Sequence, residues 1–228
     1  CENIKEKSLS EFEGGHFCSS MPVSLLVLRM NPRPPQEIIK ACASLTYRSL
    51  VMVYLVLKRK ELFKDNWLYI QDEAFGVCRI QNYKNWSPEM IGSDDKTTLG
   101  MEYFCSEGDR LWRQNNILII EQASCELERL NIARREDIVD SFVLRVPMAY
   151  PVYKKGYEQD LNKVRSFLSG FDNLYCIGRA GIFRYNNMDH SVLTGFLAAE
   201  NILGADNNLW DINTDQAYHE ELEDSKAE

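Results

Sequence analysis

A chain of 228 residues, 45% hydrophobic and 11% aromatic, can bury a substantial core in one large domain or in two small ones. Its formal net charge of −8 disfavours nonspecific binding to nucleic acid or to anionic lipid, because both require a net attraction to negative charge. No segment approaches the roughly 18 uninterrupted apolar residues of a membrane span. We therefore predict a soluble, cytoplasmic, globular protein that has no membrane span and does not bind nucleic acid.

The first half of the chain predicts a short strand, a helix and a sheet. Residues 8–20 pass through Gly14-Gly15 and indicate the end of a hairpin or a short strand. A proline-rich stretch then leads into a helix predicted over 35–45, since proline is tolerated in the first turn. Valine, leucine, tyrosine and methionine dominate a buried strand predicted over 47–57. Further strands over 67–71, 76–82 and 97–105 complete an antiparallel meander.

The second half predicts helices and strands in alternation. Apolar residues at positions 112, 117, 120, 127 and 130 recur near helical spacing, so one long helix is predicted to end before Asp137. There follow a strand over 137–146, a helix over 157–168, a strand over 174–177 and a helix over 189–203, with Gly170 and Gly204 just beyond the helix ends. The pattern is α+β: an antiparallel sheet with packed helices, then a C-terminal strand-loop-helix unit.

The cysteines and histidines disfavour a disulfide framework and a metal site. The seven cysteines are odd in number and show no CxxC or CxxxC spacing; they stand at positions 1, 18, 42, 78, 105, 125 and 176. Such a pattern is typical of reduced, buried thiols in a cytosolic protein. His16, His190 and His219 are too scattered for a metal cluster, and no GxSxG or P-loop motif occurs. The acidic run at 220–224 is predicted to be a solvated tail.

Residues 178–191, GRAGIFRYNNMDHS, predict a binding site between a strand and a helix. The glycines allow close approach of the backbone, and the amides and positive dipole end of the helix attract anions or polar groups. Helix capping is the alternative: Asn187 or Asp189 would be the N-cap, and Val192, Leu193, Phe196, Leu197 and Ile202 would form the buried side. Both interpretations remain open at the level of the residues.

Two other groups of residues are candidates for substrate contact. In the segment 145–153, two prolines are expected to break regular structure, so that Arg145, Tyr150 and Tyr153 offer polar tips at the edge of a cleft; a structural loop is the alternative. Aromatic residues of the predicted sheet could present a face to a flat apolar substrate, although most strand aromatics are core: Trp67, Tyr69, Phe75, Tyr83, Trp86, Tyr103 and Phe104.

The run from 178, GRAGIFRYNNMDHSVLTGFLAAENIL, resembles the C-terminal flavin-contacting segment of an FAD-dependent superfamily. This superfamily includes amine oxidases, protoporphyrinogen oxidases and UDP-galactopyranose mutases, and the closest resemblance is to bacterial protoporphyrinogen-oxidase-like proteins. The segments 19–22, 47–57, 145–153 and 210–221 resemble it too, so that nearly the whole chain is covered. The resemblance implies that these residues contact FAD: Gly178, Arg179, Asn187, Met188, Asp189, His190 and Ser191.

UDP-galactopyranose mutases have a similar stretch in which an arginine and a tyrosine reach the diphosphate of the substrate. Arg179 and Tyr185 match those two positions. The neighbouring tyrosine and acidic residue of that motif are replaced by Asn186 and Asn187, which departs from the mutase pattern. Arg145, Tyr150 and Tyr153 complete the candidate substrate residues, and no residue is assigned as catalytic.

The chain lacks the Gly-rich GxGxxG turn that holds a dinucleotide pyrophosphate. Because superfamily members carry it in their first half, the chain resembles a C-terminal portion whose partners are a missing N-terminal Rossmann half and a small-molecule substrate. Residues 1–22 would end an excursion from the FAD domain, 23–172 would form the substrate domain, and 173–228 would return to the FAD domain. FAD would bind the chain alone weakly or not at all. We expect an FAD-dependent oxidoreductase, with a mutase-like flavoenzyme or a non-enzymatic interaction module as alternatives.

Overall fold

The computed structural model describes residues 2–3, 8–9 and 11–213, and the chain divides into two compact units. We call Thr46–Val152 the sheet unit; the terminal unit comprises Cys1–Leu45 and Tyr153–Glu228. These units do not coincide with the predicted segments 1–22, 23–172 and 173–228, which concern roles within a longer protein and stay a prediction. Cys1, His219 and the acidic run at 220–224 lie outside the described residues.

Helices and strands occur in both units. The strands are β1 (Glu2–Asn3), β2 (Ser8–Leu9), β3 (Phe17–Ser19), β4 (Thr46–Leu57), β5 (Trp67–Tyr69), β6 (Arg79–Asn82), β7 (Thr97–Cys105), β8 (Ile138–Val152) and β9 (Leu174–Cys176). The helices are α1 (Val23–Leu28), α2 (Gln36–Ser44), α3 (Tyr83–Trp86), α4 (Arg110–Arg113), α5 (Asn116–Arg129), α6 (Tyr157–Leu168), α7 (Gly178–Gly181) and α8 (Met188–Ile202). The α+β prediction is confirmed.

The sheet unit is built on a five-stranded antiparallel sheet with the order β5-β6-β7-β4-β8. Helix α5 packs on one face, because its apolar residues at helical spacing meet alternate residues of the strands. This core includes Val51, Val53, Leu55, Leu57, Leu99, Met101, Tyr103, Ile119, Ala123 and Leu127. The intervening residues form the second face, on which Tyr54, Gly100, Glu102 and Phe142 lie. The antiparallel sheet is confirmed, and β5, β6 and β7 are neighbours in chain order as a meander predicts, whereas β4 pairs with β7 and β8 rather than with β5.

The long helix predicted to end before Asp137 is confirmed over Asn116–Arg129, but it does not extend back to Trp112, which lies in the separate short helix α4. Asn115 separates the two helices: its Oδ1 accepts the N–H of Ile117 at 2.8 Å and caps α5. The Arg145 guanidinium donates to the carbonyls of Trp112 at 2.8 Å and Gln114 at 2.6 Å. The cap and the guanidinium together satisfy backbone groups that a helix break would otherwise leave unpaired.

Strand β8 runs through the two prolines that were expected to break regular structure, so that prediction was wrong. β8 is the last strand of the sheet, where proline is tolerated because one side of the strand has no ladder partner. A bulge lies opposite Arg48–Leu50, and Met148 within it has a φ of +51°. The Met148 N–H donates to Ser49 Oγ at 3.2 Å.

The terminal unit joins residues from both ends of the chain. β3 pairs with β9 in parallel, and helices α2 and α6 pack against each other. The predicted helices over 35–45 and 157–168 are confirmed, as is the short strand within 8–20. Helix α7 was not predicted, since its glycines indicated a loop.

The described cysteines form no disulfide: Cys42, Cys105 and Cys176 are buried, whereas Cys18 is exposed. Burial raises the pKa of both Cys42 and Cys176 to about 11, so these thiols stay protonated at neutral pH. Within residues 11–213 no group of three or more histidine, cysteine, aspartate or glutamate side chains could hold a metal ion. None of the described helices has the length and apolarity needed to cross a bilayer.

Candidate functional site

The segment that follows β9 is tied to the start of α8. Gly178 adopts a φ of +71°, which glycine tolerates and other residues rarely adopt. Its N–H donates to Thr194 Oγ1 at 2.8 Å, and the Thr194 hydroxyl donates to the Ser191 carbonyl at 2.6 Å. Thr194 is fully buried on α8. The strand end and the first turns of the helix are therefore held in one fixed arrangement.

Gly181 permits a close backbone approach, and its substitution by alanine should lower stability by about 1–3 kcal/mol, as other overpacked positions do. A Cβ there would lie 2.8 Å from the carbonyl oxygen of Ser19, a backbone atom that cannot swing aside. Chemical denaturation of the variant measures the loss. The control is Gly195→Ala on α8, where nothing lies within 4 Å of the new Cβ. That change should stabilise the helix by about 0.5–1 kcal/mol, and equal losses from both variants would contradict this account.

Arg179, Tyr185 and Tyr153 come together as the candidate substrate residues of the terminal unit. Arg179 Nε donates to the Asn186 carbonyl at 2.7 Å, and its guanidinium lies 4.8 Å from the centre of the Tyr185 ring. The Tyr185 N–H donates to Tyr153 Oη at 2.6 Å, and the Tyr153 ring stacks on Tyr157 at 4.7 Å. A cation and two phenol rings therefore share one surface.

Asn186 was not predicted as a site residue and appeared only as a departure from the mutase pattern. It is only 1% exposed, and neither Oδ1 nor Nδ2 has a hydrogen-bond partner among the residues that the structure describes. An unpartnered buried polar group costs about 1–3 kcal/mol, so native structures rarely keep one without a reason. The signal in the sequence was the Asn-Asn pair itself, which exceeds what one helix cap requires.

Helix α8 begins without a side-chain cap. Asn187 occupies the N-cap position that the capping alternative expected, but its side chain makes no capping hydrogen bond. The first turn consists of Met188, Asp189 and His190, with His190 Nδ1 3.3 Å from Asp189 Oδ1. First-turn amides have no partner within a helix, so this end can receive an anionic or polar group. All seven predicted flavin-contact residues lie in or next to this strand-helix junction.

The predicted buried side of α8 was wrong. Val192, Leu193 and Phe196 are 53%, 43% and 66% exposed, and the helix instead buries Thr194 and Ala198. The apolar spacing indicated a buried stripe, as it does in most helices. Here the described part of the chain leaves that stripe uncovered, together with the exposed Met188.

Arg145 and Tyr150 belong to the sheet unit and lie on opposite faces of it. They are five residues apart in β8, and the bulge between them shifts the register by two residues, which preserves the alternation of side chains. The Arg145 guanidinium is engaged on the helix-covered face, where it also donates to Asn116 Oδ1 at 2.6 Å. Tyr150 lies on the second face, with its hydroxyl 3.5 Å from Arg79 Nη2 and its ring 5.4 Å from Phe104. Substrate contact by either residue stays a prediction.

A buried ion pair on the second face was not predicted. Glu102 is 0% exposed, and its Oε2 lies 2.7 Å from Arg79 Nη2; Gln81 Nε2 also donates to its Oε1. The pair stands close to Tyr150 and, through a cation–π contact of 5.9 Å, to Tyr69. A lone carboxylate at the centre of an apolar strand was the available signal, since such a group needs a buried partner.

The comparisons with known proteins identify the fold. The chain is similar to the crystal structure of reduced UDP-galactopyranose mutase, with 20% sequence identity and a TM-score of 0.72 over 88% of this chain and 44% of that chain. It is also similar to a protein from Exiguobacterium sp. 255-15 assigned as a protoporphyrinogen oxidase, with 15% identity and a TM-score of 0.58 over 80% of this chain and 41% of that chain.

The chain spans less than half the length of each of these two structures. No protein-family model and no curated protein matches it. At this level of identity the likeness is one of fold, and it agrees with the resemblance in the segment from 178 to 203. By its fold, the chain is therefore similar to part of the UDP-galactopyranose mutase structure and to part of the Exiguobacterium structure.

Proposed function

We propose that the chain is the substrate-domain portion and flavin-facing wall of an FAD-dependent oxidoreductase. The observation that carries the proposal is the strand-helix junction at 178–191, where a buried unpartnered amide of Asn186 precedes the uncapped start of α8. A polar cofactor at this junction would satisfy groups that otherwise stand unpaired. The likeness of fold to flavoenzymes supports the same conclusion from an independent direction.

The residues at the junction fit such a cofactor. The first-turn amides of α8 would receive a negative or polar group, the Asn186 side chain would both donate and accept, and Gly178 leaves the backbone open to close approach. When bound, FAD would supply the redox chemistry by accepting a hydride from the substrate. The chain would orient the cofactor and the substrate and would exclude water.

The exposed apolar stripe of α8 indicates a surface that another part of a longer protein would cover. Met188, Val192 and Phe196 are four residues apart and expose apolar surface on one side of the helix. The two similar structures extend beyond the matched region by more than half of their own length. We therefore propose that this stripe packs against the remainder of a longer protein, which would complete the cofactor site. The chain alone would then bind FAD weakly.

Asn186→Leu tests the cofactor site, because it should move two measurements in opposite directions. Leucine has nearly the shape of asparagine and removes an unpartnered amide, so the flavin-free protein should become more stable by about 1–3 kcal/mol. If the amide serves the cofactor, FAD affinity should fall by about tenfold or more, equivalent to about 1.4 kcal/mol. Flavin fluorescence titration and thermal unfolding, both on the longest protein that contains this chain, provide the two readouts.

The matched control is Asn162→Leu, since Asn162 is an exposed asparagine on α6. It should leave FAD affinity unchanged. A loss of stability in flavin-free Asn186→Leu would indicate a structural amide and would contradict the proposed role. Equal FAD affinity in the wild type, Asn186→Leu and Asn162→Leu would also contradict the proposed role of Asn186.

A mutase-like flavoenzyme is the second candidate, favoured by the higher TM-score of that comparison and by the contact between Arg179 and Tyr185. These two residues match the pair that reaches a diphosphate in the mutases. Binding of UDP should then weaken in Arg179→Met but not in Arg184→Met, because the Arg184 side chain donates instead to the Asn213 carbonyl at 3.2 Å. UDP binding that survives the first substitution would remove the mutase candidate.

A further inference from the structure

A cleft in the sheet unit has the composition of a small-molecule site and lies outside the cofactor junction. Its volume is about 350 Å³, within the range of ligand pockets. The lining residues include Tyr54, Tyr83, Met90, Ile91, Thr98 and Phe142, and none of the lining side chains is charged. The cleft is near the end of β8 that begins at Ile138, whereas Tyr150 lies close to the other end.

One wall of the cleft is a row of nearly parallel rings. Tyr54 and Phe142 are cross-strand partners and stack at 4.3 Å with an angle of 9° between their planes. Tyr83 continues the row on the other side of Tyr54, at 5.8 Å and 18°. The Phe142 ring is exposed, so the row ends in an uncovered aromatic surface. A planar ring can extend such a row by stacking, which a bulky saturated group cannot do.

The facing wall is held in place by Lys84. Met90 and Ile91 belong to the loop after α3, and the Lys84 ammonium donates to the carbonyls of Lys60, Asp94 and Lys96 at 3.1, 2.7 and 2.9 Å. These three charge-assisted hydrogen bonds join two stretches of backbone, at residue 60 and at 94–96, and so hold the end of the loop without placing a charge in the cleft. A preformed wall lowers the entropic cost of binding a ligand.

The floor of the cleft supplies a polar group, the hydroxyl of Tyr83. The Tyr83 ring lies directly against Gly100, where a Cβ would come within 2.8 Å of Tyr83 Oη. Burial and a hydrogen bond with Tyr54 raise the pKa of the Tyr83 hydroxyl, so it stays protonated and uncharged at neutral pH. A ligand therefore meets aromatic faces, a methionine and phenol or threonine hydroxyls, but no charge.

We propose that this cleft binds a neutral planar ring, as a free aromatic or heteroaromatic small molecule. The stacked rings favour planarity, the uncharged lining favours a neutral compound, and the hydroxyls favour a ring that carries one hydrogen-bonding group. The proposal does not depend on FAD binding, and either one can fail without the other.

Ligand-observed NMR of the whole chain provides the test, with indole, cyclohexylmethanol and benzoate as probes. Indole should bind with a dissociation constant on the order of 1 mM, as expected for so small a ligand. Cyclohexylmethanol, which is neutral but not planar, and benzoate, which is planar but charged, should each bind at least fivefold more weakly. Phe142→Ala should weaken indole binding at least fivefold, and Phe142→Leu should do so too, because leucine keeps apolar bulk but not the ring.

The matched control is Leu144→Ala, an exposed apolar residue on the same face of β8 that does not line the cleft. It should leave indole binding unchanged. If Phe142→Ala fails to fold, Phe142→Leu and Gly100→Ala carry the test, since the latter displaces the Tyr83 ring. The proposal would be overturned if indole did not bind, or if indole and cyclohexylmethanol bound equally well. It would also be overturned if the substitutions at 142 and 144 changed indole binding equally.

Discussion

Replacement of Arg79 by leucine should lower the free energy of unfolding of the sheet unit by about 3–5 kcal/mol, because it leaves a buried carboxylate without its cation. Glu102 is fully buried, and its only other described hydrogen-bond donor is the neutral amide of Gln81. Burial acts to lower the pKa of Arg79, but the hydrogen bond and the charge of Glu102 outweigh it and raise that pKa. Arg79 is therefore charged in the native protein, and urea denaturation of the chain measures its loss.

The double variant Arg79→Leu/Glu102→Leu separates an ion pair from simple packing. Well-packed apolar residues often replace a buried ion pair without a net loss of stability, so the double variant should recover most of the deficit. A single variant that costs less than about 1 kcal/mol, or a double variant no better than the single one, would contradict this account. Recovery would also imply that the pair is not retained for stability, which favours a role for this face in binding.

Glu126→Leu is expected to have the second large effect, a loss of about 3 kcal/mol or more, because two buried donors and one part-buried donor lose their acceptor. Glu126 accepts the N–H groups of Gly76 at 2.9 Å and Val77 at 3.1 Å and the hydroxyl of Tyr103 at 3.0 Å. Burial, followed by the charge of Glu126, raises the pKa of Tyr103, so that its hydroxyl remains a donor. Thermal and urea unfolding at neutral pH report the loss.

Glu126→Gln is the matched comparison for this carboxylate. The glutamine oxygen can still accept one backbone N–H, and its amide can donate to the Tyr103 hydroxyl after that hydroxyl rotates. The loss should therefore be clearly smaller than for leucine. The exposed neighbour Glu128, changed to glutamine, should have little effect. If leucine and glutamine at 126 destabilise equally, the missing acceptors are not the cause.

The parts of the fold that local pattern determines were predicted well. Strand β7 and helix α6 have the predicted bounds, because apolar residues at the strand or helix period also form the buried face. The break between α4 and α5 was missed, since Ile117 fits the helical spacing but is exposed just after the Asn115 cap. The course of β8 was missed because tolerance of proline depends on the position of the strand in the sheet, which is a tertiary property.

The sequence pointed to the segment that forms the candidate site, but it did not identify every side chain that matters there. The segment 178–191 drew attention by composition alone. Arg179 and Tyr185 lie in contact, but their role toward a diphosphate stays a prediction. Burial of Asn186 without a partner depends on packing that no spacing rule describes. Arg79 and Glu102 are 23 residues apart in sequence, and only the strand register makes them neighbours. For α8 the apolar spacing was recognised, but the side that it marks is exposed in the described part of the chain. Spacing predicts which side of a helix would be buried and does not identify the element that covers it.

The discontinuous terminal unit has a consequence for the order in which the chain folds. Phe17 pairs with Leu174 about 160 residues later, so closing that loop in an unfolded chain costs about 4–5 kcal/mol of chain entropy. The intervening sheet unit is contiguous, and its first and last residues, Thr46 and Val152, are themselves strand partners. Once it has folded, the flexible chain between β3 and β9 shrinks to roughly 50 residues, which reduces that cost by about 1 kcal/mol. During synthesis the sheet unit is complete before β9 emerges. We therefore expect the inserted unit to fold first and to shorten the loop that pairing of β3 with β9 must close.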